Sequence, residues 1–263
     1  MEQKIAVVTG ASKGIGLEIA KMLLGRDYTV YGLARRPGAD DRVCWISCDV
    51  TDRQSVEKVF SRILEKEDRI DLLVCNAGIG ISGAAEFAPE ADYRRQMEVN
   101  FDGAVACVQQ TASAMRSQGG GKIVFISSLA AIFPLPFQGF YSASKAALNA
   151  FSDSLGIEMA PFGVQTCTMM LNDVKTEFTD NRRKTAVGDD IYGGRISASV
   201  EKMEKSERSG MAPSDVAKTL GKLLDRRKLP SHKIVGASNE FLGLLFRILP
   251  ADVMLKLLGK IYG

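Results

Sequence analysis

The feature that most constrains the fold is a short apolar run followed at once by a glycine-rich turn and a helical pattern. Residues Lys4 to Thr9 read KIAVVT, which is typical of a strand buried on both faces. The chain continues TGASKGIG and enters a helix that runs to Gly25. Glycines let the backbone approach a ligand, and a helix N-terminus carries partial positive charge. The sequence therefore predicts a dinucleotide-phosphate loop, although its G-x-x-x-G-x-G spacing differs from G-x-G-x-x-G; the predicted contacts are Gly10, Ser12, Lys13, Gly14, Ile15 and Gly16.

Length and charge narrow the class of protein. With 263 residues and 46% hydrophobic content, the chain has enough apolar surface for one domain, and we expect 1–263 to form it. A net charge of +3 with interspersed signs gives no reason to expect nucleic acid as a partner. Because the start lacks a signal-peptide profile and no apolar run approaches the length of a membrane span, we expect a cytoplasmic protein.

Cysteine and histidine usage argues against a metal centre. The five cysteines form no C-x-x-C pair, which favours buried, reduced thiols. His232 is the single histidine, so a multi-histidine metal site is excluded, and its sequence context predicts the first residue of a strand. We therefore predict no metal site.

The end of the second predicted strand, Tyr28–Ala34, bears on cofactor choice. An NAD-binding fold usually places an acidic residue here to accept from the ribose hydroxyls. This chain has Arg35 and Arg36 instead, with Lys13 in the glycine loop. Cationic groups attract a 2′-phosphate, so the sequence predicts NADPH with NADH as a possible substitute; the alternative interpretation is a solvated basic turn.

The next two strands end in further candidate cofactor contacts. Residues 36–43 have room for a loop but not for a crossover helix, and Val43 to Cys48 is the third strand. Asp49 and Val50 follow it; Asp49 is a candidate acceptor for the adenine amino group, and Asp49 or Thr51 is a candidate N-cap for a helix over 52–66. The fourth strand, Asp71–Cys75, ends in three small residues that leave space for a flat ligand, Asn76, Ala77 and Gly78, or else form a simple turn.

Four polar residues farther along the chain stand where chemistry is expected. A long helix is predicted over Pro89–Ser117 with Asn100 at its middle, a poor helix position that implies a solvent-facing side chain or a local role. Ser128 follows the fifth strand. Tyr141 opens a helix that runs to about residue 160, and Lys145, four residues on, shares its face. A fixed ammonium would lower the high pKa of a phenol toward a value that acid–base catalysis can use.

Taken together, these motifs resemble the short-chain dehydrogenase/reductase family from Thr9 to about Val174. The resemblance implies an α/β fold of Rossmann type, a doubly wound parallel sheet of seven strands in the order 3-2-1-4-5-6-7 flanked by helices. It also implies a catalytic tetrad, with 1–170 as the dinucleotide-binding and catalytic core. The tetrad residues are Asn100, Ser128, Tyr141 and Lys145.

The family pattern assigns each tetrad residue a role. Tyr141 would exchange the proton, and Ser128 would hydrogen-bond the substrate oxygen. Lys145 would lower the pKa of Tyr141 and hold the nicotinamide ribose, and Asn100 would bind a water that connects Lys145 to solvent. One departure follows strand six, Val164–Met170, where Leu171-Asn172 replaces the usual Pro-Gly. We expect Asn172 to keep the turn at positive φ and Val174 and Thr176 to contact the cofactor.

Two later segments are expected to enclose the substrate. Residues 176–212, the lid segment, are polar and charged and lie between strand six and the helix predicted over Pro213–Arg227, where a mobile cover belongs; a surface insertion is the alternative. The amphipathic C-terminal tail, residues 239–263, predicts two helices separated by Pro250. We expect the tail to pack over the cleft or a partner subunit, with peripheral membrane contact less favoured.

The apolar stretch Leu129–Phe137 predicts a hydrophobic carbonyl or alcohol substrate, and the chain looks like the hydroxysteroid and retinol dehydrogenase branch of the family. Two alternatives stay open: a 3-oxoacyl thioester reductase, and a non-catalytic NADPH-binding sensor or scaffold. By the same resemblance we expect a homodimer or homotetramer.

Overall fold

A seven-stranded parallel sheet forms the centre of the protein. The computed structural model describes residues 3–236, 239–240, 243 and 249–262. In the sheet the strands lie in the order β3-β2-β1-β4-β6-β7-β9. Their bounds are β1 Lys4–Thr9, β2 Tyr28–Ala34, β3 Cys44–Ser47, β4 Leu72–Cys75, β6 Gly121–Ser128, β7 Val164–Leu171 and β9 His232–Ile234. Two further strands, β5 Ile81–Ser82 and β8 Arg183–Lys184, form a separate parallel pair.

Helices cover both faces of the sheet. They are α1 Gly14–Leu24, α2 Arg53–Glu67, α3 Glu90–Met97, α4 Gly103–Ser117, α5 Gly139–Met159, α6 Arg195–Arg208, α7 Pro213–Leu224 and a C-terminal helix, Ala251–Tyr262. Apolar residues of α1 and α7, such as Leu23 and Leu220, pack in a cluster on one face. Those of α2, α4 and α5, such as Phe60, Met115 and Leu148, pack in a second cluster on the other face. The sheet is therefore buried on both sides, as its apolar strands predict.

The sheet agrees with the sequence-based expectation. Counted along the central sheet alone, the observed strand order is the predicted 3-2-1-4-5-6-7. Residues 35–43 form a loop without a helix, His232 begins β9, and all five cysteine thiols are free. The predicted third, fourth and sixth strands, Val43–Cys48, Asp71–Cys75 and Val164–Met170, differ from the observed β3, β4 and β7 by one residue at one or both ends, where terminal ladder bonds decide the boundary. Ser128, which was expected to follow the fifth strand, is the last residue of β6.

Three local expectations were wrong. The long helix predicted over Pro89–Ser117 is interrupted by a π-helical segment, Glu98–Asp102, between α3 and α4. The N-cap of α2 is Asp52, which accepts from the Gln54 and Ser55 N–H groups, while the Asp49 carboxylate accepts from Thr51. Helix α7 ends at Leu224, three residues earlier than predicted.

The β5–β8 pair was not predicted, because two-residue strands leave no periodic pattern. Ile81 pairs with Arg183 and Ser82 with Lys184, which joins the chain after β4 to the lid segment. The C-terminal helix matches the second predicted tail helix; most of the first lies outside the described residues. None of the described helices combines the length and apolar character needed to cross a bilayer.

Candidate active site

A cleft of about 1070 Å³ opens at the carboxyl ends of the central strands. Strand order reverses between β1 and β4, and open parallel sheets bind ligands at such a crevice. One end of the cleft is bordered by Arg35 and Arg36, and the other by apolar side chains of the C-terminal helix. Tyr141 and Lys145 line the part between these ends. The volume of the cleft lies at the upper end of the range usual for small-molecule sites.

The glycine-rich turn is held against the end of β4. Gly10 has φ +62°, a conformation that favours glycine. A Cβ on Gly16 would lie 2.4 Å from the Gly10 carbonyl oxygen, so the turn leaves no room for a side chain there. The Asn76 amide donates to the Thr9 and Gly10 carbonyls at 3.0 and 3.1 Å, and the Thr9 hydroxyl accepts from the Asn76 and Ala77 N–H groups. Two predicted motifs thus form one unit.

A basic surface borders the end of the cleft beside β2 and β3. Arg35 and Arg36 are exposed and line the cleft with Asp49. Burial alone would raise the pKa of Asp49, but the hydrogen bonds from Thr51 and the charges of Arg95 and Arg35 outweigh it, so the pKa is lowered. Asp49 therefore stays ionised and available as an acceptor.

Arg95 is a lining residue that the sequence did not reveal. Its guanidinium donates to the Thr51 hydroxyl at 2.7 Å and lies 3.5 Å from the Asp49 carboxylate. Its neighbour Arg94 pairs with Glu90 on the surface instead. No local pattern distinguishes the two arginines, because the difference depends on which side of α3 faces the cleft.

A second unpredicted contact crosses the cleft. The Lys13 ammonium, in the glycine-rich turn, lies 2.7 Å from the Glu177 carboxylate, at the start of the lid segment. Both side chains are more than half exposed, so the pair is a weak link that solvent and ions compete for.

Tyr141 and Lys145 stand together, as their spacing in α5 predicts. The Lys145 ammonium lies 5.8 Å from the centre of the Tyr141 ring and donates to the Ile126 carbonyl at 2.8 Å. Lys145 is 5% exposed, and its burial lowers the pKa of the ammonium to about 8. Lys145 therefore places a positive charge at the cleft wall, and the surrounding protein compensates that charge only in part.

The expected lowering of the Tyr141 pKa is not observed. Burial raises the pKa of Tyr141 to about 12, while a hydrogen bond with Ser128 and the charge of Arg182 act against the rise and Glu207 adds to it. Desolvation destabilises the phenolate by more than the Ser128 hydrogen bond and the Arg182 charge stabilise it. Ser128, the last residue of β6, also accepts from the Ala130 N–H at 3.1 Å, which fixes its hydroxyl beside the phenol.

Asn100 is buried behind these residues and is 1% exposed. Its amide nitrogen donates to the Ile79 carbonyl and the Ser144 hydroxyl at 3.1 and 3.0 Å, and its oxygen accepts from the Ile79 N–H at 2.8 Å. A Cβ on Gly78 would lie 3.4 Å from the Asn100 oxygen and 3.7 Å from the Lys145 nitrogen. The structure therefore brings the four predicted tetrad residues to one place, with Asn100 supporting the wall and not lining it.

The loop after β7 differs from the expectation. Asn172 has no positive φ; its amide instead donates to the Asn239 side chain at 3.2 Å. That contact ties the loop to the C-terminal tail and substitutes for a left-handed turn. Val174 and Thr176 line the cleft as predicted, and the Thr176 hydroxyl accepts from the Phe178 N–H at 3.2 Å.

The end of the cleft opposite Arg35 and Arg36 is mainly apolar. Part of its wall comes from the predicted stretch 129–137, and the rest comes from the lid segment and the C-terminal helix. The apolar lining residues here are Leu129, Ala130, Phe133, Leu135, Phe178, Met203, Leu258, Ile261 and Tyr262. Two carboxylates, Asp173 and Glu207, also border this end. Of the predicted cofactor contacts, all line the cleft except Gly16, which supports the turn from behind.

Comparison with known sequences shows the family of the chain. The family model described as short chain dehydrogenase matches residues 4–187. A 3-ketodihydrosphingosine reductase of Bacteroides thetaiotaomicron is 37% identical over 239 residues, which cover 90% of this chain and 89% of the relative. The human 17-beta-hydroxysteroid dehydrogenase type 1 is 31% identical over 198 residues, 68% of this chain and 60% of the relative.

A solved structure shows the same fold. A short-chain dehydrogenase from Streptomyces avermitilis superposes with a TM-score of 0.84 at 27% identity, and the match covers 99% of this chain and 97% of the other. The resemblance therefore extends beyond the matched family region into the C-terminal tail.

Proposed function

Because the chain belongs to the short-chain dehydrogenase family of NAD(P)-dependent oxidoreductases, which act on carbonyl and alcohol groups, we propose that it uses NADPH to reduce the carbonyl of a hydrophobic, lipid-like substrate. The observation that carries the proposal is the layout of the cleft. Basic side chains border one end, apolar side chains border the other, and Ser128, Tyr141 and Lys145 meet between them. The similar reductase from Bacteroides, named for a ketodihydrosphingosine, supports a lipid-like carbonyl compound.

The residues of the cleft fit the cofactor. The Gly10 to Gly16 turn would hold the pyrophosphate at the N-terminus of α1. Arg35 and Arg36 would bind a 2′-phosphate, since a charge-assisted hydrogen bond contributes about 1.5–3 kcal/mol. Asp49 would accept from the adenine amino group, and the space beside Gly78 is limited by Asn100 and Lys145 so that a flat group fits against the backbone.

The tetrad residues would then have separate tasks. Bound NADPH supplies the hydride. Ser128 would donate to the substrate oxygen and so stabilise the charge that grows on it. Tyr141, which is protonated near neutral pH, would give its proton to that oxygen as the general acid, and the Lys145 charge would stabilise the phenolate that remains. Lys145 would hold the ribose hydroxyls with the donors that Ile126 does not use, and Asn100 would position Ile79 and a connecting water.

We also infer that the lid segment and the C-terminal helix enclose the substrate. Phe178 and Met203 of the lid segment and Leu258 and Tyr262 of the helix form the apolar wall. The Lys202 ammonium donates to the Ile261 carbonyl at 2.5 Å and lies over the Tyr262 ring, and these contacts join the lid segment to the C-terminal helix.

We also propose that the chain forms a homo-oligomer. Two exposed apolar side chains at and just after the end of α5, Ile157 and Phe162, support an interface there. Sedimentation velocity tests the oligomeric state.

The test is NADPH consumption with a panel of substrates: 3-ketodihydrosphingosine, steroid ketones, retinal, simple aldehydes and 3-oxoacyl thioesters. We expect turnover with a long-chain or polycyclic carbonyl compound. Activity confined to the thioesters would replace this proposal with the thioester reductase. Tight NADPH binding without any turnover would favour a sensor.

The Tyr141→Phe variant separates chemistry from binding. We expect a loss of at least about 1000-fold in kcat, because the phenol is the proton donor, with the Kd for NADPH changed less than about threefold. Stopped-flow kinetics and isothermal titration calorimetry measure the two. Substantial residual kcat would remove Tyr141 from its role.

A further inference from the structure

A buried arginine of the lid segment stands behind the proposed acid. The ring of Phe178 lies 6.0 Å from that of Tyr141, centre to centre, and the Arg182 guanidinium lies 5.5 Å from the Phe178 ring centre. Arg182 is 5% exposed, although arginine is seldom buried. The Phe178 ring therefore contacts both the Arg182 guanidinium and the Tyr141 phenol.

The charge of Arg182 is compensated within the lid segment, by a carboxylate of α6. Arg182 pairs with the Glu207 carboxylate, whose second oxygen accepts from the Thr179 hydroxyl at 2.7 Å. Two other guanidinium nitrogens of Arg182, Nε and Nη1, are buried without a hydrogen-bond partner. A buried cation with incomplete compensation has a strong and weakly screened field.

We propose that Arg182 is a positioning residue for the reaction: seated behind Phe178 and balanced by Glu207, it sets the electrostatic field at the Tyr141 hydroxyl and ties that field to the placement of the lid segment. The inference rests on the proposed function of Tyr141. It adds a role for two residues outside the tetrad, because the lid then contributes to proton transfer as well as to covering the substrate.

Several groups face the phenol from the elements around it. Ser128 comes from the end of β6, and Lys145 comes from the same helix as Tyr141. Arg182 and Glu207 both come from the lid segment, Arg182 ahead of α6 and Glu207 within it. Asp173, after β7, lies near the ion pair, and burial raises its pKa while Glu207 adds to the rise. The charge of Arg182 lowers the pKa of Tyr141 and that of Glu207 raises it. The two partners should therefore have opposite effects when each is neutralised.

A neighbouring ion pair provides a matched control. Lys184 pairs with Glu204 at 2.5 Å, so it links the same two parts of the chain as Arg182 and Glu207 do. The Lys184 side chain is 45% exposed, whereas that of Arg182 is 2% exposed. A purely structural role for lid ion pairs predicts similar consequences for both pairs. A role in the field at Tyr141 predicts consequences for the buried pair alone.

The experiment is an ultraviolet titration of Tyr141 in the ligand-free protein, read immediately after a jump to each alkaline pH. For the wild type and for each variant, the tyrosinate absorbance of a matched Tyr141→Phe protein is subtracted, so the difference reports Tyr141 without any substrate. We expect Glu207→Gln to move the midpoint down and Arg182→Gln to move it up, each by at least about 0.5 pH unit. Arg182→Lys, which keeps the charge, should stay near the wild type, and Lys184→Gln and Glu204→Gln should not move it.

The outcomes that overturn the inference are equally specific. An unchanged midpoint in Glu207→Gln would reject it. In this variant the amide oxygen can still accept from Arg182 and the amide nitrogen can donate to the Thr179 hydroxyl, so it tests the inference even where Arg182→Gln does not fold. Equal shifts in the Lys184 and Glu204 variants, or the same shift in Arg182→Lys as in Arg182→Gln, would also reject it. Because the titration needs neither cofactor nor substrate, a failed substrate panel would reject the proposed substrate and leave this result standing.

Discussion

At the scale of single residues, the site contains charges that folding alone would disfavour. The Lys145 ammonium is almost fully buried, and its main contact is one backbone carbonyl. A hydrophobic side chain of similar length would pack there without the cost of desolvating a charge. Stability therefore does not account for this lysine, whose position agrees with the role proposed for it in the cleft.

Lys145→Met should make the ligand-free protein more stable at pH 7, by about 1–3 kcal/mol, while abolishing turnover. The pKa of Lys145 is lowered from 10.5 to about 8, so between these values the native state loses its proton before the unfolded state does. Wild-type stability should therefore gain relative to the variant as pH rises from 8 to 10. Urea unfolding at several pH values measures both effects; a destabilised variant with no change in pH dependence would contradict them.

Neutralising Arg35 and Arg36 together, both to Gln, should raise the KM for NADPH by about 10- to 100-fold, because one or two charge-assisted hydrogen bonds to the 2′-phosphate are lost. The KM for NADH should hardly change. Arg42→Gln is the matched control, since Arg42 is exposed, pairs with Asp40 and does not line the cleft. Steady-state kinetics with both cofactors decide; equal losses for NADH and NADPH would show that the arginines do not select the phosphate.

At this scale, motif residues could be predicted and their supporting residues could not. Short spacing rules place Gly10, Ser128, Tyr141 and Lys145, because each belongs to a local strand, turn or helix pattern. Arg182, in a charged segment, resembles any solvated arginine until the fold buries it. The direction of the Tyr141 pKa shift also depended on burial that only the three-dimensional arrangement reveals.

At the scale of elements, two irregular pieces of backbone shape the cofactor end of the cleft. One is the π-helical segment that lets the Asn100 side chain reach the Ile79 backbone; such segments are frequent at functional sites. The other is the glycine-rich turn, whose carbonyl and side-chain neighbours leave no space at Gly16. The glycines made the turn predictable from the sequence, whereas no residue composition distinguishes the π-helical segment.

Gly16→Ala should disrupt the turn, because the new Cβ would lie 2.4 Å from the Gly10 oxygen and 2.6 Å from the Asn76 amide nitrogen. We expect a loss of about 1–3 kcal/mol in stability and at least about tenfold weaker NADPH binding. Gly25→Ala, at the other end of α1, is the control: its φ is −67° and its nearest neighbour would lie 3.5 Å away, so it should be neutral. Urea unfolding and calorimetry test both; an unimpaired Gly16→Ala protein would contradict the described fit.

At the scale of the whole molecule, the substrate end of the cleft is assembled from distant parts of the chain. Leu258 of the C-terminal helix packs in one cluster with Leu129, Phe133 and Met170. The apolar pattern of the tail predicts a helix, but a periodic pattern does not say which surface the helix covers. Strand order, in contrast, was predictable, because the motifs match one family and parallel crossovers have one hand.

Leu258→Ala should raise the KM for a long-chain or polycyclic substrate by about tenfold, because the apolar wall loses buried area, while a small aldehyde should be converted as before. Leu257→Ala is the control on the same helix, since Leu257 is 41% exposed and Leu258 is 5% exposed. Kinetics with the two substrate sizes decide. The same rise in KM for both variants would mean that the helix contributes by its overall stability and not by lining the cleft.

The ion pair between Lys13 and Glu177 joins residues from the first and the last third of the polypeptide. A nascent chain that ends at β6 contains the glycine-rich turn but lacks the lid segment on the other side of the cleft. Contacts between residues so far apart in sequence form slowly, and a ligand that contacts both sides stabilises only the fully folded chain. A nucleotide that contacts both sides of the cleft should therefore stabilise the completed chain and not a chain that ends at β6.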